Sequence, residues 1–127
     1  MNSPTCIDRS LVAFKVMRPL MAQQVEEVWV VGLSSTKKVL STHRLFKGTV
    51  DACMFHPRDL FRHLYAVNAS SFILAHNHPS DDITPSQQDQ NITLNLKKAS
   101  AIMQVEFVDH IILTSKNYFS FADAGII

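Results

Sequence analysis

The chain has 127 residues, 46% of them hydrophobic and 18% charged, with a formal net charge of +1. That length suits one domain with a single core, and the near-neutral balance excludes the strong basic field of a typical nucleic-acid binder. The apolar runs are far shorter than a membrane span and no basic stretch leads into an apolar segment near the start, so a cytoplasmic protein without signal peptide or membrane segment is expected.

Helices and strands alternate along the chain with no repeat, linker or low-complexity segment. Ser3-Pro4 can open a helix running to about Met21, with Ile7, Leu11, Phe14 and Met17/Arg18 on one face. Glu26 to Leu33 is a β-branched and aromatic run typical of a buried strand. Ser34 to Lys38 reads as a polar turn and Val39 to Leu45 as a returning strand. His56-Pro57 starts a helix that carries Leu60, Phe61, Leu64 and Tyr65 toward the core and ends near Asn68. Ser71 to Ala75 is a strand, and Pro85 to about Met103 a long helix with Ile92, Leu94/Leu96 and Ala99 available for burial. Val105 to Thr114 and Tyr118 to Phe121 close the chain as strands. A mixed sheet flanked by helices, an α/β fold, follows.

The run from His76 to Asp89 carries the chemistry. His76 and His78 are two apart, so they share one side of an extended strand. Ser86 and Asp89 are three apart and share one face of a helix. Thr84 can serve as N-cap, Pro85 suits the first helical position, and Gln87 sits where a capping box takes Glu or Gln. A strand thus ends on two imidazoles and a helix begins with a carboxylate. Two nitrogens and one oxygen make a three-ligand zinc site with a fourth position for water, the pattern of a catalytic metal.

His76-x-His78, seven residues, Ser86, two residues and Asp89 resembles in full the signature of the JAMM (JAB/MPN) metalloprotease superfamily. Ile73 to Ser80, Val108 to Ile112, Phe46 to Val50, His56 to Phe61 and Phe119 to Ala122 are similar to the RadC family of bacterial JAB-domain proteins in particular. These matches run in one order from roughly Glu26 to Ile127. One departure stands inside the motif, where Asp81 replaces the glycine common in the family after Pro-Ser. Asp is among the few residues that tolerate positive φ, so a slightly strained loop and an intact site are expected.

The resemblance implies a three-layer α/β/α JAB/MPN fold, related in architecture to cytidine deaminases. The chain is read as one such domain over 1–127, with 1–24 a helical segment packed on it. It also implies a Zn²⁺ ion held by His76, His78 and Asp89 and a glutamate at the start of an early strand acting as general base. Glu26 and Glu27 both stand there, facing opposite sides of a strand; the RadC-type spacing to Ser34 selects Glu26. The Ser86 hydroxyl is implied to stabilise the oxyanion at the scissile carbonyl of a peptide or isopeptide, although an early helix serine can simply satisfy backbone donors. The polypeptide substrate is left open. Longer family members often carry a helix-hairpin-helix DNA-binding region for which this chain is read as having no room, so no strong nucleic-acid binding is expected.

Other residues carry blander readings. Asp109-His110 is either an orienting group for a ligand histidine or a satisfied buried pair. Asn77, between the ligands, points away from the metal and anchors the loop. His56 belongs to a helix start, His43 and His63 to the surface, and Lys37-Lys38, Arg58, Arg62 and Lys97-Lys98 to solvated faces. Cys6 and Cys53 have no metal-type spacing and are read as buried or unremarkable thiols. Two rival classes are a metal-dependent nuclease associated with DNA repair, which needs a basic groove or a second metal's carboxylates, and a non-catalytic, metal-stabilised interaction module. A zinc deaminase wants His-x-Glu and Pro-Cys-x-x-Cys, and both are missing.

Overall fold

The run Glu26–Leu33 alternates its side chains between two apolar layers, and the sheet is built outward from it. The computed structural model describes residues 5–21, 24–48 and 55–127. In chain order the elements are α1 (Ser10–Met17), β1 (Glu26–Leu33), β2 (Val39–Gly48), α2 (Pro57–Ala66), β3 (Ser71–Asn77), α3 (Gln87–Met103), β4 (Glu106–Leu113) and β5 (Tyr118–Ser120). The strands form one five-stranded sheet in the order β2-β1-β3-β4-β5. β1 is antiparallel to β2 and β3, β3 is parallel to β4, and β4 is antiparallel to β5. The parallel step requires a crossover connection, and α3 supplies it.

Side-chain parity sorts the two cores. Val28, Val30, Phe72 and Leu74 turn toward α2 and α3, where they meet Leu60, Phe61, Leu64 and Leu96. Val31, Leu33, Ile73 and Ala75 turn the other way, toward Ala13 and Met17 of α1, with Ile111 and Leu113 beside them. Helices therefore cover both faces, and the fold is the three-layer α/β/α arrangement expected from the sequence. Phe72 anchors the larger core, with its ring stacked on Phe107 at 4.8 Å and edge-on to Phe61 at 5.9 Å.

The N-terminal segment departs from its helical reading. The start at Ser3-Pro4 lies outside the described residues, as do Thr49, Val50 and Cys53. Thr5 to Ile7 is extended beside the β1–β2 turn: the Ile7 amide donates to the Lys37 carbonyl and the Val39 amide to that of Thr5, each at 2.8 Å. Ile7 is buried by that contact, so its helical spacing from Leu11 and Phe14 is coincidental. The helix proper begins at Ser10 and buries Ala13 and Met17, leaving Leu11 exposed. Cys6 is an exposed free thiol, so of the two readings the buried one does not hold for it.

Two further burial expectations fail for geometric reasons. Tyr65 is 53% exposed, with its hydroxyl donating to the Met103 carbonyl at 2.6 Å, whereas Leu60, Phe61 and Leu64 fill the core. On α3 the buried stripe is Asp89, Thr93, Leu96 and Ser100, so of the pair Leu94/Leu96 it is Leu96 that enters the core. His63 is half-buried rather than at the open surface: it stacks on His43 at 4.2 Å and shares a hydrogen bond with the Ser41 hydroxyl at 2.9 Å. Burial, and then the neighbouring His43, lowers its pKa below the usual 6.5. Among the described residues no helix is long and apolar enough to cross a membrane.

Phe72→Ala should lower the unfolding free energy by about 3–5 kcal/mol, measured by urea denaturation. Ile102→Ala, at a residue 79% exposed, should stay within about 0.5 kcal/mol of the parent.

Candidate metal centre

His76 is the penultimate residue of β3 and turns toward the α3 side, since it pairs with Val28 of the same parity. His78 follows one step past the strand end. The two imidazoles lie edge-on at 5.0 Å and 89°. The Asp81 amide donates to the His78 carbonyl at 3.1 Å to close a tight turn. Asp81 itself takes φ +67°, the positive φ expected of the residue that replaces glycine. The His78 Nδ1 donates to the Asp82 carbonyl at 2.8 Å, which turns Nε2 toward Asp89. Asp82, absent from the sequence reading, thus sets the tautomer of a candidate ligand.

α3 starts two residues later than the sequence suggests. Its N-cap is Ser86, not Thr84, and it forms a capping box with Asp89. The Asp89 amide donates to Ser86 Oγ at 3.0 Å, and the Ser86 amide donates back to Asp89 Oδ2 at 2.9 Å. Thr84 instead donates its amide to Asp82 Oδ1 at 2.9 Å, an Asx-type turn ahead of the helix. The spacing Ser86-Gln87-Gln88-Asp89 was a readable alternative signal, with Asp doing the work of Glu at the third helical position.

Helix and strand ends converge on one carboxylate. Asp89 Oδ1 lies 3.1 Å from His76 Nδ1, and Oδ2 lies 3.1 Å from His78 Nε2. Ligand atoms of His76, His78 and Asp89 all fall within 4.8 Å of one another. Two ligands each about 2.0–2.1 Å from a tetrahedral zinc stand about 3.3 Å apart, so these spacings fit a shared cation. Burial alone would lower the His76 pKa, but hydrogen bonds to Asp89 and then Glu26 outweigh it and raise it from 6.5 to about 9. His78 is raised too, by its bond to Asp89 against the effect of burial. Burial pushes the Asp89 carboxyl up, yet its bonds from His76, His78 and the Ser86 amide hold it far below the usual carboxylate range. The cluster therefore stabilises positive charge at its centre. That is the donor chemistry a divalent cation requires.

Glu26 and Glu27 separate by strand parity. Glu26 Oε1 sits 2.5 Å from His76 Nε2 on the α3 side. Glu27 turns to the α1 side and is buried, accepting from Trp29 Nε1 at 2.7 Å with Arg44 at 3.8 Å. Neither is a plainly solvated residue at a strand edge. Asn77 turns away from the cluster, as expected, but it fastens β1 rather than its own loop. Its Nδ2 donates to the Val25 carbonyl at 2.8 Å, and its Oδ1 accepts from the Glu27 amide at 2.5 Å. The peptide groups on both sides of Glu26 are thereby held by the residue between the two histidines.

Glu26, His76, His78, Ser86 and Asp89 line one open groove of about 330 Å³ together with Pro79, Ser80 and Gln88. Ser86 Oγ uses an acceptor site for the Asp89 amide, so its own proton is available to the groove. Asp109 and His110 do not form a side-chain pair. Asp109 accepts from Ser120 Oγ at 2.6 Å and from the Ala122 and His110 amides, and burial raises its pKa. His110 meets Thr93 Oγ1 through Nδ1 at 2.7 Å, and burial, then the nearby His76, lowers its pKa to about 3.

A three-layer α/β fold with His-x-His at a strand end and an aspartate on the following helix defines a JAB-type domain. The chain belongs, more narrowly, to the RadC-like JAB domain family, whose model matches residues 7–126. It is 40% identical over 122 residues to a UPF0758 protein of Thermotoga maritima, a match covering 96% of this chain and 55% of that one. Against a UPF0758 protein of Flavobacterium johnsoniae it is 39% identical over 121 residues, 94% of this chain and 53% of the other. A UPF0758 protein of Fusobacterium nucleatum is 38% identical over 105 residues, 83% and 45% of the two chains. The chain spans about half the length of the curated relatives it matches.

Asn77→Ala should destabilise the protein by about 1–3 kcal/mol, because it strips the partner from a buried β1 amide. Hydrogen exchange of the Glu27 amide should accelerate at least about tenfold, the equivalent of about 1.4 kcal/mol.

Proposed function

We propose that this domain is a zinc-dependent hydrolase of the JAMM type, cleaving a peptide or isopeptide bond. The observation that carries the reading is Glu26. A carboxylate from a strand 50 residues away reaches His76 Nε2, yet Glu26 does not join the convergent group formed by His76, His78 and Asp89. A glutamate beside the ligand set but outside it has the disposition of a general base. His76, His78 and Asp89 would hold the ion. Zinc would supply Lewis acidity there, acidifying water and polarising a carbonyl oxygen.

The chain's own groups account for the proton and the charge. Glu26 takes a proton from the attacking water as its oxygen bonds to the carbonyl carbon. The Ser86 hydroxyl donates to the oxygen that becomes negative, an interaction stronger in the transition state than in the ground state. Glu26 then returns the proton to the nitrogen as the C–N bond breaks, releasing a carboxylic acid and an amine. Asn77 keeps Glu26 in place through the two flanking peptide groups. The groove is open, as an extended polypeptide requires, and main-chain pairing is a natural way to hold such a substrate.

Purified protein should hold close to one zinc per chain by elemental analysis, and Asp89→Ala should lose most of it. Glu26→Gln should keep the metal and the fold while abolishing zinc-dependent, chelator-sensitive cleavage of unfolded polypeptides or tail-linked conjugates. A wild type that binds no zinc after reconstitution would sink the reading. An active Glu26→Gln variant would sink the assignment of the base.

Nucleic acid is a poor candidate for the partner of this domain. The formal net charge is +1, and two of the scattered lysines are already engaged: Lys37 with Glu106 at 2.6 Å and Lys97 with the Ile126 carbonyl at 3.2 Å. Duplex DNA should bind weakly, without sequence preference, and any affinity should fall steeply with salt in a titration followed by anisotropy. A salt-resistant, sub-micromolar complex would favour the nuclease class instead.

A further inference from the structure

We propose that Thr93 and His110 are positioning residues for the metal centre, fixing Asp89 through the backbone of α3; this rests on the zinc reading above. Asp89 and Thr93 lie one helical turn apart on the buried stripe of α3. Each is tied to a different strand. Asp89 meets His76 on β3, whereas Thr93 Oγ1 meets His110 Nδ1 on β4 at 2.7 Å. The two histidines share the α3 side of neighbouring parallel strands, with rings 6.4 Å apart and 19° from parallel. α3 is thus fastened to the sheet at two points, and the second sets the height and rotation at which the first is presented.

The hydrogen-bond directions follow from the donor count. Thr93 Oγ1 also lies 2.9 Å from the Asp89 carbonyl oxygen, which can only accept. The single hydroxyl proton goes there, so His110 Nδ1 must carry a proton and donate it to Thr93. Back-bonding of threonine to the preceding turn is ordinary in helices. What is particular here is that a buried imidazole holds the hydroxyl from the other side. His110 Nε2 is then a bare acceptor, and it is the buried side-chain atom that finds no partner among the described residues. The opposite tautomer would bury an unpaired N–H, the rarer defect.

β4 is shaped for this contact. Strict alternation from Phe107, which faces the α2–α3 core, would turn Asp109 toward α3 and His110 away from it. The register against β3 skips a residue between Phe107 and Asp109, and the bulge reverses the parity. His110 therefore faces Thr93, and Phe121 stacks flat on its other neighbourhood at 4.7 Å and 9°, fixing the ring plane.

The test uses the whole chain and zinc itself, in competition with a chromophoric chelator at one pH. Thr93→Val, which keeps shape and loses the hydroxyl, and His110→Phe, which keeps the ring stack and loses Nδ1, should each weaken zinc binding about 10–100-fold. Thr93→Ser should restore affinity to within about threefold. Cobalt substituted at saturation should show altered visible bands in the first two variants and the parental bands in Thr93→Ser, because the Asp89 carboxylate moves only in the former. Parental affinity and parental cobalt bands in Thr93→Val and His110→Phe would overturn this inference alone. A wild type that binds neither zinc nor cobalt would overturn the metal reading and this inference with it. Should the variants fail to fold, ¹⁵N shifts of His110 in the wild type decide: protonated Nδ1 is expected, and an Nε2–H tautomer overturns the arrangement.

Discussion

The carboxylate of Asp89 is the constraint on which this domain turns. It is buried, and a buried charge needs a full set of partners. One oxygen receives His76; the other receives His78 and the amide of the helix N-cap. The same group therefore ends the loop, starts the helix and closes the cluster. The start of α3 cannot shift by a residue without losing the imidazoles, and the strand cannot slip without losing the cap. The crossover between parallel strands β3 and β4 is pinned at its first turn for the same reason.

The second constraint is parity in β1. Glu26 and Glu27 are adjacent carboxylates with opposite fates: one joins the histidines, and the other is buried beneath Trp29 with Arg44 close by. A slip of one residue would bring Glu27 to the histidines, but it would also exchange Val28 and Val30 with Trp29 and Val31 between the two cores. The fit of these side chains to their two layers thus decides which carboxylate faces the groove. Asn77 reinforces it from the far side of the sheet.

Much of this was legible because it depends on local periodicity. The strands around Val28, Phe72 and Ile111 and the helices at Leu60 and Leu96 follow from alternation and turn residues, and the cluster follows from the spacing of His76, His78 and Asp89. The failures came where a distant partner overrides local pattern. Ile7 has helical spacing to Leu11, but the β1–β2 turn captures its segment as extended chain. Thr84 has good cap chemistry, yet Ser86 wins because its partner at the third helical position, Asp89, is also held by the histidines. The facing of Asp109 and His110 is set by a bulge against β3, a property of the pairing that neither strand shows alone. Tyr65 carries an apolar ring on the correct helix, but its hydroxyl draws it to the Met103 carbonyl at the rim.

The components of the site also belong to different length scales of the chain. His76 and Asp89 are separated by 13 residues, whereas Glu26 and His76 are separated by 50. Closing the longer loop carries about 1.2 kcal/mol more chain entropy by the logarithmic rule. The His76–His78–Asp89 cluster is a property of one local β–loop–α unit, while Glu26 is delivered only by the long-range seating of β1. The cluster and the placement of Glu26 are thus separable traits of this architecture. A lineage could loosen β1 and lose the seating of Glu26 without altering a single residue of the cluster.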